Sequence, residues 1–448
     1  MHVVVIGLGQ VGRHVIRMLE WERHDVVAVD QDLNAVKWVT EHHDVMTLVG
    51  YGASQPVLRQ AAVSKADLVV AVTDHDEVNL IAALAARRLG CKRSIARVQG
   101  DAWSEMTGGG IQYDLLGVDV VVNPQVLIAE EIAKIARSHG ALEVIDIANE
   151  RIELAQVELD ETCRLLHKPL AKLQLPPQTL VAAVVRDREL FVPGGADVLL
   201  PADRVYLIGS PEHMEAAEDA FTNTRQAHGL CIIGGGVVGK TLAVLAAEGG
   251  ADVMVIERNP ERAQDLAAAL PNITVVAGDG TDLHLLREEE VWRYDLFVSA
   301  SHEDEVNLMA ALLAKRAGAE RTVALVHRPD YSEIYRQLGV DIALSPRVVA
   351  SDHILRYVRQ AEVRSLTVLE EGQAEVLELV AREGSRIVGV PVRRLNLPRG
   401  ALLAAILHHE TVLIPRGDDV ISTGDIVVVL TTPAARPTVA KMFKPRAL

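Results

Sequence analysis

The sequence predicts an α/β chain: two tandem Rossmann-like, doubly wound parallel sheets, each followed by a small α+β lobe. Three observations carry this: glycine-rich turns directly after short β-branched runs, a repeat of the whole pattern half-way along, and an aliphatic composition nearly without aromatics. The 448 residues are 49% hydrophobic but only 3% aromatic, so Val, Leu, Ile and Ala must fill the cores, as in buried parallel strands covered by helices. At roughly 100–200 residues per domain, this length holds about two to four domains.

The first half reads as six strands, Val3–Ile6, Val26–Val29, Val45–Val49, Leu68–Val72, Ile95–Val98 and Val118–Val122, separated by Ala/Leu/Glu-rich helical stretches. The second half repeats them as Leu230–Ile233, Val253–Ile256, Ile273–Ala277, Leu296–Ala300, Val323–Val326 and Val340–Leu344. GLGQVG at 7–12 returns as GGGVVG at 234–239, and Asp30 returns as Glu257. DEVNL at 76–80 returns unchanged at 304–308, and LGVD at 116–119 returns at 338–341. The spacing assigns about six additional residues to the first copy, with Gly108 to Gly110 the expected place for them. After the sixth strand, Asn123-Pro124 and Ser345-Pro346 can each cap and open a helix. The helix PQVLIAEEIAKIARSH carries apolar residues on more than one face, which predicts burial on two sides. Short alternating strands and Pro/Gly turns then predict a small lobe from about Leu142 to Phe221, and again from Leu366 to Phe443. Expected boundaries are 1–138 and 228–360 for the Rossmann lobes and 140–222 and 362–446 for the small lobes, with TNTRQAH at 222–228 as linker.

Gly7, Gly9 and Gly12 follow the first strand and open a helix that includes Gln10 and Val11, the context of a dinucleotide fingerprint. The first Gly permits the tight turn, the second lets backbone N–H groups approach a pyrophosphate, and the third allows close helix–strand packing. Asp30 closes the second strand, where its carboxylate can accept from a ribose hydroxyl and repel a 2′-phosphate. That favours NAD(H) or an adenine nucleotide over NADP(H). The second copy offers Gly234, Gly236, Val237, Val238, Gly239 and Glu257; with Lys240 and Thr241 it also fits the phosphate loop of NTPases. Arg258 can lie over an adenine ring or stay solvated. Gly278 and Asp279 form a turn able to receive an adenine amino group, where the first copy has Gly50 and Tyr51. Thr73-Asp74 and Ser301-His302 end the fourth strands, and Asp76 and Glu77 then favour a helix N-terminus. Asn79, repeated as Asn307, is a polar residue inside a helical pattern, either ligand-facing or structural. Arg97 on the fifth strand can meet phosphate, and Leu325 replaces it in the second copy, so the two sites are expected to differ.

The formal charge of −16 repels nucleic acid, which is not expected as a partner. No stretch approaches the roughly 18–20 apolar residues of a membrane span, and the start is a strand without a basic leader, so a soluble, cytosolic protein is expected. Cys91, Cys163 and Cys231 are expected as buried thiols, and the pairs His42-His43 and His408-His409 as surface or core residues. No catalytic or metal-binding constellation is evident, and an enzyme is not expected; an NAD-dependent oxidoreductase is the alternative.

On the two glycine turns with their acids, the GDGTD turn, the two DEVNL segments, the NP- and SP-led helices and the P-x-G…D pattern ending each half, the chain resembles the TrkA family of Trk potassium-uptake regulators. Such proteins are built from tandem regulator-of-K⁺-conductance (RCK) units, each a nucleotide-binding Rossmann lobe followed by a TrkA-C lobe. The resemblance covers essentially the whole chain. It implies a cytoplasmic regulatory subunit, peripheral at the inner membrane face, that docks on a K⁺ channel subunit of TrkH or TrkG type and self-associates, as a homotetramer, into a gating ring. It implies NAD(H) in at least one lobe, with ATP/ADP an option, above all in the second. It also implies that the helix after the sixth strand packs against a neighbouring lobe. Many relatives carry Arg as the fourth residue of the glycine loop, for a terminal phosphate; this chain has Gln10 and Val237.

Overall fold

The structure, a computed structural model, describes residues 1–99, 117–138, 141–148, 151–222, 228–359, 365–408 and 411–444. Gly108 to Gly110, His409 and most of the linker lie outside the described residues.

The first parallel sheet contains β1 (His2–Ile6), β2 (Asp25–Asp30), β3 (Met46–Val49), β4 (Leu68–Ala71), β5 (Ser94–Arg97) and β6 (Val120–Val122), in the order β3-β2-β1-β4-β5-β6. The order reverses beside β1, which opens a crevice at the carboxyl ends of β1 and β4. Val3–Ile6 and Leu68–Ala71 are buried throughout, because α1 (Gln10–Trp21), α2 (Leu33–His42), α3 (Gln55–Gln60) and α4 (Asp76–Arg88) shield the sheet. The sixth strand begins two residues later than its apolar run, since the Asp119 carboxylate accepts from Ser94 N (2.7 Å) and fastens the start of β5. Asp341 does the same for Thr322 N in the second copy (2.7 Å), which gives the LGVD repeat a structural cause. The helix α5 (Pro124–Arg137) follows.

The first small lobe is an antiparallel sheet of β7 (Glu143–Ile147), β8 (Ile152–Glu158), β9 (Thr179–Arg186), β10 (Glu189–Phe191) and β11 (Arg204–Gly209), ordered β10-β9-β11-β8-β7 and closed by α6 (Pro211–Phe221). The second parallel sheet repeats the first: β12 (Gly229–Ile233), β13 (Asp252–Glu257), β14 (Thr274–Ala277), β15 (Leu296–Ser299), β16 (Arg321–Leu325) and β17 (Ile342–Leu344), ordered β14-β13-β12-β15-β16-β17. Its helices are α7 (Val237–Glu248), α8 (Pro260–Ala269), α9 (Leu283–Glu288), α10 (Asp304–Ala317), α11 (Ser332–Gln337) and α12 (Pro346–Arg359). The second small lobe contains β18 (Ser365–Leu369), β19 (Ala374–Val380), β20 (Ala401–His408), β21 (Thr411–Leu413) and β22 (Ile426–Thr431), ordered β18-β19-β22-β20-β21, with α13 (Arg436–Phe443) at its end.

Like lobes pair across the two halves. One compact unit comprises 1–133 and 228–358, and the other 134–227 and 359–448. In the first unit, Ala350, Ile354 and Leu355 of α12 are fully buried in the core built by Val3, Val15 and Leu19 of the other half. The post-sheet helix of the second half therefore covers the Rossmann lobe of the first. In the second unit, Ile145, Leu154 and Tyr206 share a core with Val376, Leu407 and Val428. Glu370 accepts there from Gln156 Nε2 (2.7 Å), Arg204 Nη2 (3.1 Å) and the Tyr206 hydroxyl (3.2 Å). Burial, with Glu143 and Glu370 beside it, holds the Tyr206 hydroxyl protonated well above the usual phenol range.

Candidate functional site

Each glycine turn sits at the carboxyl end of the central strand. Gly7 has φ +100°, and a Cβ there would lie 2.6 Å from Thr73 N; one on Gly12 would lie 1.9 Å from the Gly7 oxygen. Both positions exclude a side chain through packing within the lobe. Gly9 differs: nothing stands within 4 Å of where its Cβ would be, and its extended backbone suits any residue. Its lack of a side chain serves only what approaches from outside. Gly236 repeats this, with His302 Nε2 at 3.9 Å its nearest neighbour. The helices α1 and α7 start at these glycines without a side-chain cap, so their first-turn N–H groups face the crevice free for an anion. Val11 and Val238 bury their side chains, so only their backbone is available to a ligand; Gly12 and Gly239 act by packing, not contact.

The acids closing the second strands tether these turns. Asp30 Oδ2 accepts from Leu8 N (2.6 Å) and Oδ1 from Asp32 N (2.9 Å). Glu257 does the same with Gly235 N (2.7 Å) and Asn259 N (2.8 Å). Each carboxylate keeps lone pairs for a further donor such as a ribose hydroxyl.

Asn79 is not ligand-facing. It is fully buried and accepts from Thr73 N (2.8 Å) and Thr73 Oγ1 (2.7 Å), while its Nδ2 donates to the Thr73 and Arg97 carbonyls (both 2.9 Å). All its polar capacity goes into joining the ends of β4 and β5. Asn307 makes the matching bonds to Ser301 N (2.8 Å), Ser301 O (3.0 Å) and Leu325 O (3.0 Å). Asp76 and Asp304 support the same corner by accepting from Gln99 N (2.9 Å) and His327 N (2.7 Å). DEVNL is thus a brace beneath the site, and Thr73 and Ser301 are the residues it holds.

Arg97 is 7% exposed and faces Asp74 at 3.3 Å, whose side chain is largely in solvent. Burial chiefly pulls the pKa of the guanidinium down, and Asp74 and Asp76 oppose that. In the second lobe Asp279 accepts from Thr281 N (2.9 Å) and Oγ1 (2.8 Å), which holds its carboxyl below the usual range; Gly278 begins the turn. Arg258 is exposed and lies 3.4 Å from Glu303 Oε1. The helix α7 begins at Val237, so Gly239 and Lys240 lie inside the helix instead of closing a phosphate loop, which removes the NTPase reading.

The two turns border one cleft of about 490 Å³, lined by Gly9, Gln10 and Arg97 from the first half and Gly236, Val237 and Ser301 from the second. The starts of α5 and α12 complete it through Gln125 and Arg347. The sequence reading missed these two, although proline opening a helix at the end of the sixth strand marked the place. Separately, a cavity of about 600 Å³ in the first small lobe is lined by Lys134, Arg137, Asp146, Glu153 and Glu218, among others. Burial, with Asp146 adding to it, raises the Glu153 carboxyl to about 7. Among the described residues, no group of three or more His, Cys, Asp or Glu is placed to hold a metal, and no helix is long and apolar enough to cross a membrane.

The TrkA-N domain pattern matches residues 3–124 and 230–346, and the TrkA-C domain pattern matches 154–222 and 376–444. The chain is 35% identical to the Trk system potassium uptake protein TrkA homolog 1 of Methanosarcina mazei, over 99% of this chain and 100% of that protein. The chain belongs to the TrkA family. This TrkA-family chain is also 32% identical to the Trk system potassium uptake protein TrkA of Haemophilus influenzae, over 100% and 99% of the two lengths. Among solved structures, the TrkA-family fold matches the GsuK RCK domain with a TM-score of 0.62 at 18% identity, covering 99% of this chain and 94% of that one. A GsuK channel bound to NAD matches at 0.61, with 18% identity and 99% and 78% coverage.

Proposed function

We propose that this TrkA-family chain is the nucleotide-sensing regulatory subunit of a Trk-type potassium uptake system, a binding protein and not an enzyme. The observation that carries it is the pair of open glycines, Gly9 and Gly236, each at an uncapped helix start beside a tethered acid. Backbone N–H groups of Gln10, Val11, Val237 and Val238 hold the phosphates, and Asp30 and Glu257 the ribose. Thr73, Asp74, Arg97 and Ser301 flank the phosphates, and Gly278, Asp279 and Arg258 receive the adenine of the second site. NAD(H) is the ligand of at least one lobe, with ATP or ADP the other candidates; structures of GsuK bound to NAD and to ADP support both. The functional lobes run 1–138, 140–222, 228–360 and 362–446, and the chain works as a cytoplasmic homotetramer docked on a TrkH- or TrkG-type channel subunit. A nucleotide controls flux only by binding one state of such an assembly better. Moving 1:99 to 99:1 takes about 5.5 kcal/mol of differential affinity, a total that several modest sites can supply.

Calorimetric titration of the full chain with NADH, NAD⁺, ATP and ADP is the direct test. Stoichiometric binding is expected, lost at one site in Gly9→Ala and at the other in Gly236→Ala, with Tm unchanged because neither added methyl clashes with the fold. Absence of binding by the wild type sinks the sensor reading, and steady NADH oxidation with small carbonyl compounds supports a dehydrogenase instead.

A further inference from the structure

The two glycine turns share a cleft, yet its cations are unequally divided. The repeat places Gln125 after Pro124 and Arg347 after Pro346, and Arg97 on β5 where β16 has Leu325. Each half therefore contributes one arginine that the other lacks. Arg347 belongs to the second half, but its guanidinium donates to the Gln10 amide oxygen in the glycine turn of the first. The helix α12 that carries it is anchored in the first lobe's core by Ala350, Ile354 and Leu355, so the placement is held by packing. Arg97 feels the positive charge of Arg347. Arg347 thus reaches the first turn, in a cleft that Arg97 also lines, and neither arginine has a counterpart in the other repeat.

Little around them neutralises this charge. Among the described residues Arg347 makes no ion pair, its side-chain partner being a neutral amide. Among the described residues, Arg97 forms an ion pair with the solvent-exposed Asp74, at 3.3 Å, and Asp76 adds a second, weaker negative influence. Two uncapped helix starts that line the cleft add their N-terminal dipoles, at Gln10 and Val237. At the starts of α5 and α12, buried Asn123 Nδ2 and Ser345 Oγ have no hydrogen-bond partner among the described residues. Like charges held together in a partly buried cleft, within a chain of net charge −16, are stabilised by an anion between them.

We infer that Arg347 is a phosphate-binding residue of the first nucleotide site, supplied from the second half of the chain, where it replaces the arginine that Gln10 does not provide. This rests on the proposed nucleotide function and adds a selectivity to it. The first site, with Arg97 and Arg347, favours the ligand with more phosphate charge. The second, with Leu325 and Gln125 at the matching positions, discriminates less. Occupation of the first site also ties the two Rossmann lobes together, because its ligand is held from both.

The test isolates each site by filling the other's open glycine. In the Gly236→Ala chain, calorimetry with ATP, ADP and AMP is expected to show the tightest binding for ATP. Adding Arg347→Gln should weaken ATP by about ten- to a hundred-fold and AMP by much less, as loss of a charge-assisted contact predicts. Arg347→Lys should recover part of the loss. In the Gly9→Ala chain, Arg347→Gln should change nothing, whereas Gln125→Arg should tighten ATP, a gain that does not depend on any variant at position 347. Equal binding of ATP by the Gly236→Ala chain with and without Arg347→Gln overturns the assignment while leaving the sensor reading intact. If the wild-type chain and both glycine variants bind no nucleotide, the sensor reading falls and the assignment falls with it.

Discussion

At the residue scale, the sharpest contrast is between residues that line the cleft and residues that brace them from beneath. Asn79 and Asn307 belong to the second kind, each spending its whole amide on joining two strand ends. Asn79→Ala takes this partner from the part-buried Thr73 N and the buried Arg97 carbonyl and should cost about 2–3 kcal/mol by urea denaturation. It should also weaken nucleotide binding at the first site more than at the second. Glu153 gives a pH prediction. Its native carboxyl titrates at about 7, because burial and Asp146 outweigh Lys134 and Arg137, while in the unfolded chain it titrates at 4.5. The folded state therefore binds the extra proton between these values, so this group's contribution falls as pH rises from 4.5 to 7 and is flat above. Glu153→Gln removes the effect. It should match the wild type near pH 4.5 and exceed it in stability at pH 8 by up to roughly 3 kcal/mol, read from urea midpoints.

At the element scale, the strands and glycine turns were legible in the sequence because their signals are local: β-branched runs of four or five residues, then Gly at fixed spacing. The start of the sixth strand was less so, since pairing there is deferred by the Asp119 carboxylate, which caps β5 from a turn. The DEVNL repeat was visible as a repeat but not as a brace, because its partners, the backbone groups at the ends of β4 and β5, are defined only once the sheet is formed. The role of Arg347 could not be read, since its partner Gln10 lies in the other half. Burial against another lobe, expected from the apolar surface of the first post-sheet helix, is seen for its counterpart α12. Ile354→Ala should open a cavity costing about 2–5 kcal/mol, and the loss should appear in the amide-exchange protection of β1 and α1, elements of the other half of the sequence.

At the scale of the whole molecule, the two units are each assembled from both halves, so neither half contains a complete core. A fragment comprising residues 1–222 leaves the sites of Ala350, Ile354 and Leu355 uncovered, and of Val376 and Val428 likewise. Expressed alone, it should dimerise or aggregate, whereas mixing it with 228–448 should restore a one-to-one complex, as analytical ultracentrifugation would read. A fragment that remains a soluble monomer would contradict the shared cores.

The covalent join between the repeats has an evolutionary corollary. In a homodimer every substitution appears on both sides of the interface, so a cation introduced on one face arrives on the other as well, and the two approach across the axis. Fusing the copies lifts that restriction. Arg347 can exist opposite Gln125, and Arg97 opposite Leu325, because each repeat is free to vary alone. Duplication thereby leaves the two glycine turns with different residues at matching positions.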